Sequence, residues 1–87
     1  MTLADLLRQE ASSTLLKDIS WLPEKVIEDI RGRGKFSIIC DRHIREISTY
    51  SLPMKYEYPI KQWATQQGFR VSNSYNSYGV KYIDITL

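Results

Sequence analysis

The sequence predicts an α+β fold: three helices packed on one face of a small mixed three-stranded sheet. Three observations carry this. Apolar residues recur at helical spacing in three stretches, near 3–17, 23–33 and 59–67. Short apolar or alternating runs at 36–40, 69–73 and 81–87 have the period of strands. Prolines and glycines fall at the boundaries between these stretches. The predicted order is helix, helix, strand, helix, strand, strand, closing on a C-terminal β-hairpin, all in a single domain spanning 1–87.

The first helix starts from Thr2 as N-cap, with Asp5 placed to reach back. Leu3, Leu7, Ala11 and Leu15 follow at spacing four, and Leu6 widens the stripe. The second helix opens at Pro23, whose missing N–H costs nothing in a first turn. Val26, Ile27 and Ile30 form its apolar face, and it ends in the Arg31–Gly34 stretch. The run Phe36-Ser-Ile-Ile-Cys40 reads as a strand with both faces partly covered. Residues 41–58 admit two readings. In one, Asp41 caps a helical turn carrying Ile44 and Ile47; in the other, Ile44–Thr49 is a strand. The helical turn is preferred. Pro59 opens the third helix, where Ile60, Trp63 and Ala64 share a face, with Trp63 the expected core anchor, and Gly68 closes it. Phe69–Asn73 and Lys81–Leu87 then alternate around a polar, glycine-containing stretch, which is a hairpin. Asn76 and Gly79 are the turn residues expected to tolerate positive φ. The strand–helix–strand portion makes its two strands parallel.

Composition narrows the function. The chain has 87 residues, a net charge of +2, one cysteine and six tyrosines. The charge is too small to require a nucleic-acid partner. One cysteine excludes an internal disulfide and fits a reducing compartment. The leucines near the start are interrupted by Asp, Arg, Gln and Glu, and no run reaches the ~20 apolar residues of a membrane span. The expectation is a cytoplasmic protein without a membrane partner.

Four groups of residues offer chemistry. Cys40-Asp41-Arg42-His43 contains a thiol and an imidazole, the parts of a nucleophile and its base. A buried strand-end cysteine beside a solvated histidine explains the same residues, so no catalytic residue is expected. A metal site needs more ligands than the chain holds, and no phosphate-binding loop is present, so no cofactor is expected either. Arg31-Gly-Arg-Gly-Lys35 places three cations in five residues. Arg31, Arg33 and Lys35, with Arg70, are the candidate phosphate contacts, although a helix C-terminus also favours cations. The outward face of the hairpin carries Arg70, Ser72, Ser74, Tyr82, Asp84 and Thr86, with Asp84 either solvated or paired with Arg70. A single aromatic there makes a poor base-stacking platform. Finally, Tyr75 and Tyr78 at the hairpin tip, with Tyr56 and Tyr58, are the candidate partner-binding residues, because tyrosine is enriched at the centres of interfaces.

The stretches Gly34-Lys35-Phe36-Ser37-Ile38 and Gly68-Phe69-Arg70-Val71, followed by the terminal strand, carry a resemblance. Together they are similar to small α+β proteins of tailed bacteriophages. In those, a helix leads through Gly-Lys into a strand, a helix ends in Gly-Phe/Tyr-x-Val, and a strand closes the chain. The resemblance covers residues 26–87, and the segment 41–58 departs from the compact pattern. It implies an accessory, inhibitory or virion-assembly role in the host cytoplasm or virion, and it assigns no site. The functional expectation is therefore a non-catalytic protein-binding module, with self-association possible. A small nucleic-acid-binding protein comes second and a cysteine-dependent enzyme third.

Overall fold

The computed structural model of the chain describes residues 2–87. Helix α1 spans Leu3–Lys17. The Asp5 N–H donates to Thr2 Oγ1 at 3.2 Å, and the Thr2 N–H donates to Asp5 Oδ2 at 3.3 Å. Two otherwise orphaned donors are thereby satisfied. Helix α2 spans Leu22–Arg33 with Pro23 in its first turn. It stops at Gly34, where φ is +83° and the N–H donates to the Ile30 carbonyl at 2.9 Å. A side chain at Gly34 would strain that left-handed turn. Strand β1, Lys35–Asp41, follows at once. A short strand β2, Ser51–Pro53, leads through a 3-10 turn at Met54–Tyr56 into helix α3, Glu57–Gln66. Strands β3, Arg70–Tyr75, and β4, Lys81–Thr86, form the hairpin.

The class is α+β, with three helices and a mixed sheet of four strands among the described residues, in the order β2-β1-β4-β3. Three corrections to the sequence reading follow. The sheet has a fourth strand, because Ser51–Pro53 pairs in parallel with Ile39–Asp41. Its three residues include a single buried one, Leu52, too short a pattern to see in the sequence. Residues 42–50 form neither a helix nor a hairpin strand. Asp41 does cap a turn: the His43 N–H donates to its carboxylate at 3.1 Å and the Ile44 N–H to its carbonyl at 3.2 Å. No helix follows, and Ile47 stays exposed. Likewise α3 begins at Glu57, not Pro59, because the 3-10 turn feeds directly into it.

Strand β4 lies between β1 and β3 and runs antiparallel to both, so β1 and β3 point the same way. Phe36, Ile38, Ile83 and Ile85 fill one face of the sheet. Val26 from α2 and Ile60 and Ala64 from α3 close over them. Helix α1 packs chiefly on α3 and the 3-10 turn rather than on the sheet, so the helices are not one simple layer. Its Ser12 is buried, while Leu3 and Leu7 are 81% and 65% exposed. The first leucines of the stripe thus face solvent, whereas Leu15, with Leu16 and Ser12, turns toward the protein. Trp63 is half-buried at the rim of the core, stacked at a tilt on Phe69 with 6.0 Å between ring centroids.

Candidate functional site

The hairpin β3–β4 carries two strongly exposed tyrosines, Tyr75 and Tyr78. Asn76 builds its turn. The Tyr78 and Val80 N–H groups donate to Asn76 Oδ1 at 2.9 and 3.0 Å. The Asn76 N–H donates to the Val80 carbonyl, and the Gly79 N–H to the Asn76 carbonyl, both at 3.1 Å. Only Gly79 adopts positive φ, at +79°. Asn76 thus acts through its side-chain carbonyl, not through the left-handed conformation expected of it. This network holds Tyr78, 90% exposed, at the tip and Tyr75, 67% exposed, at the end of β3.

The ladder also fixes which main-chain groups of β3 are free. Asn76 donates toward the β4 side, and main-chain direction alternates along an antiparallel strand. Arg70, Ser72 and Ser74 therefore turn their N–H and C=O groups toward β4. Val71, Asn73 and Tyr75 turn theirs to the other edge, where among the described residues no strand pairs with them. The opposite edge of the sheet is the short β2, which ends at Pro53.

The hairpin is tied to α3 at its tip end. Tyr75 and Lys81 pair across the ladder, and Lys81 Nζ lies against Glu57 Oε1. Lys61 Nζ is 3.6 Å from the same oxygen. Burial works to raise the Glu57 pKa, but the hydrogen bond from Lys81 and the charges of Lys61 and Lys81 outweigh it and hold it below the ordinary value.

The structure distributes the other predicted residues unevenly. Tyr56 leaves the contact set: it is 2% exposed, and its hydroxyl donates to Asp18 Oδ2 at 3.1 Å. Its ring holds the α1–α2 corner to the 3-10 turn. Tyr58 is 55% exposed but lines a groove of about 290 Å³ between α1 and α3, with Arg8, Ala11 and Leu15. It belongs to a different surface from Tyr75 and Tyr78. Arg31, Arg33, Lys35 and Arg70 are all exposed. Lys35 and Arg70 flank Thr86 in one row of the sheet's outer face. Asp84, in the next row, is buried and accepts a 2.6 Å hydrogen bond from Ser37 Oγ. Its partner is thus Ser37, not Arg70.

A second polar cluster was not legible in the sequence. The Tyr50 hydroxyl donates to buried Asp29 at 2.9 Å and accepts from Arg33 Nη2 at 3.3 Å. Lys25 and Arg33 sit 5.4 and 5.9 Å from the ring centroid of Tyr50. Asp29, Arg33 and Tyr50, with Lys35, Ser37 and Tyr82, line a cavity of about 240 Å³. The acid and its cations already satisfy one another, which is the arrangement of a structural clasp. The signal lay in the spacing of Lys25, Asp29 and Arg33, four apart on one helix, but their partner Tyr50 is distant in sequence.

Cys40 is buried, and burial, with repulsion from Glu57, pushes its thiol up to about 12. A thiol so protonated is a poor nucleophile. Among the described residues no group of three or more His, Cys, Asp or Glu side chains is arranged to hold a metal ion. No helix among them is long and apolar enough to cross a membrane. Comparison with family models, curated proteins and solved structures gives no match to this chain.

Proposed function

We propose that the chain is a non-catalytic module that binds another protein through the β3–β4 hairpin. One observation carries this reading: an ordered turn holds Tyr75 and Tyr78 in solvent beside a strand edge with free main-chain groups. Preorganised aromatic side chains lose little further freedom when they dock. The Gly-Lys strand entry and the Gly-Phe-Arg-Val helix exit support an accessory, inhibitory or virion-assembly role of the kind small phage proteins have. The test is Tyr78→Ala. Thermal stability should stay within about 0.5 kcal/mol of wild type, because an exposed turn residue contributes little to folding. Affinity for a protein captured from the native host lysate should fall at least about tenfold, as for an interface anchor. Unchanged affinity would reduce the tip to a turn.

The row Lys35–Thr86–Arg70, with Arg31 and Arg33 at the adjoining helix end, favours a nucleic-acid ligand as the second reading. The two differ in salt dependence. Phosphate binding weakens steeply as salt rises, whereas a tyrosine-centred contact changes little.

A further inference from the structure

We infer that β3 is the joint of a two-fold dimer, in which a second copy of this chain pairs its own β3 antiparallel to the first. This rests on the hairpin being the contact surface and names its occupant. The first argument is the inequality of the two sheet edges. Natural edge strands are blunted by shortness, proline, lysine or a bulge. β2 has three residues and ends in proline. β3 has six, with neither proline nor lysine, and pairs with β4 in unbroken register.

The second argument fixes the register. The outward main-chain groups of β3 belong to Val71, Asn73 and Tyr75. Extension toward Phe69 is closed, because the Phe69 N–H already donates to the Ala64 carbonyl at 3.0 Å. Centring the two-fold on Asn73 is the register that employs every free group. Asn73 then faces Asn73, and Val71 of one protomer faces Tyr75 of its partner, giving about six main-chain hydrogen bonds. An axis perpendicular to the sheet keeps the helices of both protomers on the same side. Val71 and Tyr75 both project on that side, because their β4 partners Ile85 and Lys81 share a face. They therefore meet as an aromatic–β-branched pair, a favourable cross-strand combination. On the other face Ser72 meets Ser74. The one charge on the strand, Arg70, falls opposite Asn76, so no like charges oppose. The merged sheet would have twice the four strands of one protomer. A joint this short lies at the small end of stable interfaces, so dimerisation should depend on concentration.

The symmetric position of Asn73 supplies the test. Sedimentation velocity from micromolar to millimolar concentration should show wild-type self-association. Asn73→Lys and Asn73→Glu should each weaken it at least about tenfold, by opposing two like charges at the axis. An equimolar mixture of the two should restore it. Asn73→Ser should behave as wild type. Asn73 is exposed, so all variants should melt as the wild type does, which separates loss of pairing from loss of folding. A dimer insensitive to both charged variants would use another surface and overturn the inference. A wild type that stays monomeric, while Tyr75→Ala loses its captured lysate protein, would also overturn it. The edge would then take a foreign strand, and the reading of the hairpin as a binding surface would stand. Monomeric behaviour with Tyr75→Ala and Tyr78→Ala capturing as wild type does would overturn both.

Discussion

Cys40 sits at the end of β1 with its thiol shielded by the core and near the carboxylate of Glu57. Both raise its pKa, burial more than charge. A thiol reagent should therefore label the folded protein at least about tenfold more slowly than the unfolded chain, because only the thiolate reacts. Faster labelling in the folded state would revive the cysteine-dependent enzyme. Tyr56 carries a second prediction. Tyr56→Phe keeps the buried ring and deletes the hydrogen bond to Asp18, so it should cost about 1 kcal/mol. In a domain of this size that lowers the melting midpoint by about 4–8 °C. The cap at Thr2 and the stop at Gly34 were legible in the sequence because their partners lie within a few residues. Tyr56 was not. Its ring packs in the core and its hydroxyl meets Asp18 at the distant α1–α2 corner, and nothing local distinguishes it from exposed Tyr58.

Helix α1 separates two properties that one apolar stripe conflates. The spacing of Leu3, Leu7, Ala11 and Leu15 gave the period of the helix and the inward place of Leu15, but Leu3 and Leu7 face solvent. The side turned inward carries Ser12, and it continues into buried Ile19. Leu7→Gln should accordingly leave stability within about 0.5 kcal/mol of wild type. Ile19→Ala should cost about 2–5 kcal/mol, the range for a buried isoleucine. A large loss from Leu7→Gln, read by chemical denaturation, would mean that α1 is rotated on its axis. The third helix and the hairpin were readable because each combines a period with a glycine at its boundary. β2 has neither, and it exists only because the ladder of β1 is there to receive it.

At the scale of the whole molecule, the pair Glu57–Lys81 joins the start of α3 to the start of β4. Glu57 is held below its ordinary value of 4.5, so its contribution is present above that pH and lost as pH falls through the folded value. Lys81 is held above 10.5 by its hydrogen bond to Glu57, against burial, so its contribution is present below that pH and lost as pH rises through the folded value. The contribution of this pair should therefore be flat between these limits and fall on both sides. Glu57→Gln should lower the melting midpoint at neutral pH, and its curve should meet the wild-type curve at the acid end. A constant difference across the acid range would show that the carboxylate contributes by packing rather than by charge.

The central position of β4 also dictates an order of events when the chain folds. Strands β3 and β4 are neighbours in sequence and can zip together from their turn on the microsecond scale of an isolated hairpin. The β1–β4 ladder joins opposite halves of the chain and must first close a long loop. Until then β1 and the hairpin each expose an unpaired strand and an uncovered apolar face. Nucleation should therefore run from the hairpin outward, and docking onto β1 should limit the rate, as it does for topologies rich in distant contacts. A chain interrupted before residue 81 would leave β1 and β3 with no strand between them, and that intermediate would be the most prone to aggregate.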